Sequence, residues 1–196
     1  MKTVLGFILI FVTALSSMAR AGEPLSGKDM ENLRAAVEIT RVAVDAGQPP
    51  FGAVIAGPDG TIVMRGENLD FKLHDHTQHA ESALASRFCR KYVNDPEFRA
   101  KSTLYSSVEP CAMCMFTMFN AGIGRVVYAL SADRDYAIAD RYGNWPRINL
   151  SSRKAAGYMS TPMVVEGPYL EAEVAALVER AFKMYEAKRK ANLKQP

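Results

Sequence analysis

The segment Gln78-His79-Ala80-Glu81, answered downstream by Pro110-Cys111-Ala112-Met113-Cys114, constrains this chain more than any other feature. It supplies one imidazole, two thiols at i,i+3 spacing, and a carboxylate that is not needed to hold a metal. Zinc takes neutral His nitrogen and Cys thiolate in tetrahedral geometry, and three protein ligands leave a fourth position for water. Bound zinc brings the pKa of such a water toward neutrality, which makes it a nucleophile at ordinary pH. A carboxylate two residues from the ligand His can then shuttle protons between that water and a leaving group. Each half of the pattern alone is ordinary: HAE is common helix sequence, and CxxC in an exported protein is commonly a disulfide or redox pair. Together and in this order they point to a catalytic zinc site.

The flanking residues suit those roles. From His79 the chain runs HAESALASRFCRKY, with Ala80, Leu84 and Phe88 at helical spacing, so His79 and Glu81 fall in a first turn. From Cys111 it runs CAMCMFTMFNAG, a helix entered after Pro110 and closed by Gly122. Both thiols then lie near the positive end of a helix dipole, which favours the thiolate. At i,i+3 they share a face, and His79 completes the set from the facing helix. Cys89 reads as a small buried residue and not a third sulfur ligand. In an oxidising compartment Cys111 and Cys114 can instead pair with each other, and the odd cysteine leaves intermolecular pairing open.

The N-terminus reads as a targeting segment. Lys2 opens it, Val4 to Leu15 is an apolar run, and Ala19-Arg20-Ala21 is a small-x-small cleavage site before Gly22. Residues 1–21 are therefore expected to be a signal peptide, and 22–196 a single domain that is exported, to the periplasm or beyond. Removing Lys2 and Arg20 takes the formal charge from +3 to 22 − 21 = +1, so no global charge argues for nucleic acid. Lys183, Lys188, Arg189, Lys190 and Lys194 cluster near the C-terminus as a solvated helix face. No second apolar stretch is long enough to span a bilayer.

Along the rest of the chain, periodicity predicts a helix from Met30 to Ala46, strands at Phe51 to Ile55 and Thr61 to Met64, and a polar loop from Asn68 to Gln78. Asn94-Asp95-Pro96 reads as a break, Ser102 to Ser107 and Arg125 to Leu130 as strands, and Asp133 to Arg141 as a short helix. Tyr142 to Ser160 is irregular and polar, as a covering loop would be. Pro162 to Glu166 is a weak fifth strand, and Glu171 to Lys190 a helix with one apolar stripe. This order predicts an α/β three-layer α-β-α sandwich around a five-stranded mixed sheet.

With these residues in view, the chain resembles the cytidine-deaminase-like superfamily, CMP/dCMP-type zinc deaminases. Within it, the branch of guanine deaminases and tRNA adenosine deaminases looks most similar. The resemblance runs from about Leu33 to Tyr185 and includes Pro50-Phe51-Gly52-Ala53-Val54-Ile55, Gly66-Glu67-Asn68 and Gly124-Arg125-Val126-Val127-Tyr128. It implies zinc on His79, Cys111 and Cys114, with Glu81 as proton shuttle. It further implies substrate contacts from Asn68, the Ala80 backbone N–H and Phe51, and a homodimer. The implied activity is hydrolytic deamination of a purine or pyrimidine base or nucleoside by a zinc-activated water, with a guanine deaminase-like substrate favoured. Asn68 can equally be a turn residue that ends a strand.

The departures bear on substrate. Relatives of this branch commonly read Asp-Pro-Thr-Ala-His-Ala-Glu, where this chain has Asp75-His76-Thr77-Gln78-His79-Ala80-Glu81. The lost proline and the added His76 and Gln78 alter the pocket rim, and His74 and His76 read as loop residues and not as ligands. Guanine deaminases carry a second acidic residue after the fourth strand. Asp133, Asp135 and Asp140 are the candidates here, Asp140 being nearest by spacing. The C-terminal run from Val164 looks more like the adenosine deaminases, so a tRNA adenosine deaminase-like enzyme stays as an alternative. A non-catalytic zinc-stabilised binding domain has no need of Glu81, and a thiol–disulfide protein using Cys111-Cys114 has no need of His79. An export signal favours small free substrates over cytoplasmic tRNA.

Overall fold

The computed structural model describes residues 24–143 and 147–192, the last of these by its backbone only. The expected signal peptide therefore lies outside the described residues. No helix among them is long and apolar enough to cross a membrane.

Five strands form one sheet in the order β2-β1-β3-β4-β5. They are β1 (Gly52–Ala56), β2 (Ile62–Glu67), β3 (Thr103–Val108), β4 (Arg125–Leu130) and β5 (Val164–Glu166). The β1 strand is antiparallel to both β2 and β3, while β3, β4 and β5 run parallel. The sheet is mixed, as expected. Each central strand is buried on both faces, so its side chains divide by period two between two cores. Ala53, Ile55, Leu104, Val126 and Tyr128 join one core; Val54, Ala56, Tyr105, Val127 and Ala129 join the other.

Helices cover both faces. The first core is closed by α3 (Ala80–Lys91), α5 (Ala112–Asn120) and α7 (Ser152–Ala156), with Leu84, Phe88, Met115 and Met118 fully buried. The second is closed by α1 (Gly27–Asp45), α6 (Ala132–Ala139) and α8 (Glu171–Asn192), through Leu33, Val37, Val44, Ile138, Val174 and Val178. Burying one such side chain contributes on the order of 1.5–3 kcal/mol. The three-layer sandwich is thus two apolar interfaces sharing one sheet.

Two short helices lie where the sequence predicts loop or break: α2 (Asp70–Leu73) and α4 (Pro96–Lys101). The prolyl break proves to be a helix start, because Asp95 accepts from the Phe98 N–H and Pro96 takes the first turn. Within the stretch predicted as irregular, Ser151 likewise caps α7 by accepting from the Lys154 N–H. The first helix begins earlier than its apolar periodicity, at Gly27, because Ser26 accepts from the Asp29 N–H.

Gly52 sets where β1 meets α1. A Cβ there would lie 2.6 Å from the Ala36 carbonyl oxygen, so only glycine permits this approach. Its N–H donates to Ser107 Oγ at 3.1 Å, tying the start of β1 to the end of β3. Phe51 is thereby fixed at the carboxyl ends of the parallel strands, the edge where open α/β sheets place their ligands.

Candidate metal centre and active site

His79 and Cys111 occupy equivalent places on two packed helices. Each is the N-cap, in extended backbone conformation, and neither side chain caps its helix. Residues at that position usually spend their side chain on the first turn. Here both are free to face each other, and Cys114 joins them from the first turn of α5.

His79 Nδ1 lies 3.7 Å from Cys111 Sγ and 3.6 Å from Cys114 Sγ. All three donor atoms fall within 4.8 Å of one another. Zinc–sulfur and zinc–nitrogen bonds of about 2.3 and 2.05 Å at a tetrahedral angle give an N···S edge of roughly 3.6 Å. The donor chemistry and the spacing both fit zinc. Beside the His79 imidazole and the Cys114 thiol, Cys111 is pulled down to about 4 despite its burial. Cys114 is held above the usual thiol range by that same hydrogen bond and by burial. One thiolate is therefore preformed, and a cation is needed to hold the second. The three cysteines are free thiols, and Cys89 lies away from the site, near the Arg99 guanidinium.

Glu81 sits one residue inside α3 and is 5% exposed. Ser106 Oγ donates to its Oε1 at 2.8 Å, and the Cys114 thiol donates to its Oε2 at 3.5 Å. Burial pushes this carboxyl above the usual range, against the pull of His79. Both Ser106 and Ser107 interrupt an apolar strand; one holds Glu81 and the other holds Gly52. Two polar residues in a buried strand were the sequence signal for this pair.

His79, Glu81 and Cys111 open onto a cavity of about 280 Å³. Phe51, Val108, Met113, Tyr136 and Ile148 supply its apolar walls. His76, Glu109, Asp135 and Arg147 supply the remaining polar groups. A larger groove between α6 and α8 is open to solvent and has none of the metal-type donors.

Of the substrate contacts implied by resemblance, Phe51 lines this cavity and three others do not. Asn68 is buried, and its Oδ1 accepts from the Asp70 N–H, the turn role. Ala80 is buried at the start of α3, behind the donor set. Asp140 is exposed, and both its oxygens accept from Arg147, at 2.6 and 2.7 Å. The Arg147 guanidinium lies 4.8 Å from the Tyr136 ring centre, so Asp140 acts on the rim through Arg147. Asp133 is exposed, and Asp135 alone of the three carboxylates faces the cavity. His76 is on the rim, paired with Asp70, and Gln78 donates to Asp75. His74 and His76 are not among the metal-type donors.

Glu109 is the residue that sequence reasoning missed. One oxygen accepts from the Ala132 N–H, and the other from the Ser152 N–H and hydroxyl. A single carboxylate thus closes the N-termini of α6 and α7 and fixes the turn that delivers Cys111.

Residues 26–130 match the model of the cytidine and deoxycytidylate deaminase zinc-binding region. A protein of Schizosaccharomyces pombe named "Probable cytosine deaminase" is 38% identical over 149 residues, covering 76% of this chain and 89% of that one. The tRNA-specific adenosine deaminase of Haemophilus influenzae is 33% identical over 114 residues, covering 58% and 65%. Among solved structures, guanine deaminase from Nitrosomonas europaea superposes with a TM-score of 0.65 at 19% identity, over 93% of this chain and 98% of that one. That likeness is one of fold.

Proposed function

Because the chain belongs to the cytidine and deoxycytidylate deaminase zinc-binding family and is thereby a zinc-dependent deaminase, we propose that it hydrolyses the exocyclic amine of a small purine or pyrimidine base or nucleoside. The reaction adds water to the amine-bearing ring carbon, breaks the C–N bond, and releases ammonia with a carbonyl left on the ring. Zinc held by His79, Cys111 and Cys114 would supply Lewis acidity and an acidified water.

The observation that carries this reading is the state of Glu81. Its carboxylate is buried and opens onto the cavity, while the donor set is complete without it. A purely structural site has no use for such a group. With Oε1 held by Ser106, Oε2 is the oxygen that takes a proton from the attacking water. It then returns that proton to the ring nitrogen and the departing amine. Phe51, Tyr136 and Ile148 exclude bulk water from this exchange.

Cytosine is the first compound to assay, given the name of the 38% relative, and guanine compounds, favoured by the resemblance, come next. The test is ammonia release from free bases and nucleosides, with Glu81→Gln as control. Wild-type turnover in that variant removes Glu81 from the mechanism.

Deamination of tRNA adenosine is the second reading, favoured by the H. influenzae relative. Two features support small substrates instead: the cavity is small, and Lys2, the apolar run and Ala19-Arg20-Ala21 fit an exported protein cut after residue 21. A homodimer remains the proposed assembly, to be checked by sedimentation.

A further inference from the structure

Asp135 is 7% exposed and lines the same cavity as Glu81, His79 and Cys111. Its Oδ1 has no hydrogen-bond partner among the described residues. Leaving a buried carboxyl oxygen unpaired costs about 1–3 kcal/mol, and native proteins rarely tolerate it without a reason. The other polar groups of the lining are engaged. Glu109 is spent on two helix N-termini, His76 on Asp70, and Arg147 on Asp140. Burial and the Glu81 charge hold Asp135 up at about 7, against the pull of Arg147. The cavity around it is flat-walled, between Phe51, Val108, Tyr136 and Ile148.

We propose that Asp135 recognises the heterocycle by accepting a hydrogen bond from a ring N–H, so that free bases, and not their N-glycosides, are the substrates. This deepens the deaminase reading and rests on it. A free base bound with its amine-bearing carbon at the donor set has a further ring N–H, one that Glu81 does not serve. Glycosylation replaces that hydrogen with a sugar, which removes the donor and adds bulk that a cavity of about 280 Å³ resists. A site built around one hydrogen bond rejects an analogue lacking it strongly, by on the order of 10²-fold or more.

The experiment measures ammonia release from cytosine against cytidine, and guanine against guanosine, for zinc-loaded wild type, Asp135→Asn and Asp135→Ala, with melting temperature and zinc content recorded. Wild type is expected to favour the free base by on the order of 10²-fold. Asp135→Ala should lose roughly 10- to 100-fold in kcat/KM on the free base, chiefly through KM, with little change on the nucleoside. Its zinc content should hold, and its melting temperature should hold or rise, because the unpaired carboxyl is gone. The isosteric Asp135→Asn keeps one acceptor and should retain part of the activity; it carries the test should the alanine variant not fold. A wild-type preference for nucleosides, or variants that turn over the free base at the wild-type rate, overturns the inference alone. Equal losses on base and nucleoside with a lowered melting temperature also overturn it, by assigning Asp135 a structural role. No ammonia from any compound with zinc bound overturns the deaminase reading beneath it.

Discussion

The Ser106 hydroxyl donates to Glu81 Oε1 across 2.8 Å, reaching from the middle of the sheet to the first turn of the helix above it. This bond chooses which carboxylate oxygen faces the cavity. Ser106 is a positioning residue, since it touches Glu81 and not the reacting atoms. Ser106→Ala should lower kcat about 10- to 100-fold while leaving KM and zinc content near wild type, as expected for loss of a hydrogen bond to a charged group. Ser106→Thr keeps the hydroxyl and suits a strand, and should recover most of that loss. Equal kcat for the alanine variant in steady-state assays would show that burial alone orients Glu81.

Cys111→Ser replaces one of three donors with a hydroxyl of far weaker affinity for zinc. Metal analysis of the purified variant should find zinc strongly reduced. The thermal midpoint should fall by several degrees, because ligand bonds contribute folding free energy. The same substitution at Cys89, which sits beside Arg99 and away from the donor set, should leave zinc content unchanged. Full occupancy in Cys111→Ser would break the assignment of the ligand set.

Much of this site was legible in the sequence because it is local. Two N-caps and an i,i+3 thiol pair need only helical spacing to be brought together, and β4 has the bounds its Val- and Tyr-rich run predicts. The small helices α2, α4 and α7 were not foreseen: each is too short for periodicity to register, and two of them rest on a capping side chain. Asp140 stood first by spacing, yet the cavity faces Asp135. The signal for that was present, since Asp135 falls three and four residues before Ile138 and Ala139, on the buried stripe of α6. Asn68 shows the opposite failure. Resemblance assigned it to substrate, and its oxygen caps a turn.

Acid should loosen the sheet edge away from the active site. Burial alone would raise the Asp29 carboxyl, but hydrogen bonds from Arg125, Tyr105 and Ser26 pull it down to about 2. A group depressed from about 3.9 in the unfolded chain contributes stability above that value, and the contribution is lost as pH falls through its folded value. The contribution at neutral pH is on the order of 1–2 kcal/mol, allowing for partial exposure. Asp29→Asn should therefore lower the midpoint of chemical denaturation at pH 7 and flatten its dependence on pH between about 4 and 2. Identical pH profiles for variant and wild type would show that Arg125 is balanced by Glu166 alone, its other partner at 2.5 Å.

Expression of the full chain in a Gram-negative host should yield a soluble protein that begins at Gly22 and is recovered from the periplasm. Lys2, the apolar run from Val4 and the Ala-Arg-Ala site motivate this expectation. Intact-mass measurement reads the cut directly. A soluble cytoplasmic product that retains residues 1–21 counts against export.

Small bases and a tRNA anticodon stem-loop make opposite demands on this molecule, and the wild-type enzyme should release ammonia from the first and leave the second unchanged. A stem-loop must be gripped by its phosphates, which calls for a basic stripe beside the pocket and makes binding steeply dependent on salt. The cavity rim carries Arg147, but its guanidinium is held by both oxygens of Asp140. Arg153, behind α7, donates to the Gly167 carbonyl and the Tyr128 hydroxyl. The cationic cluster on α8 lies on the opposite face of the sheet from α3 and α5, where its Lys183 and Lys190 pair with Glu179 and Glu186. The walls, moreover, leave about 280 Å³, room for a base whose polar edge is met by side chains within the pocket and not for a nucleotide continuing in both directions. The measurement compares ammonia release from cytosine, guanine and adenine with inosine formation in the stem-loop, at low and moderate salt. Efficient inosine formation with no turnover of any free base would reverse the assignment and move the protein to the tRNA-acting branch of its family.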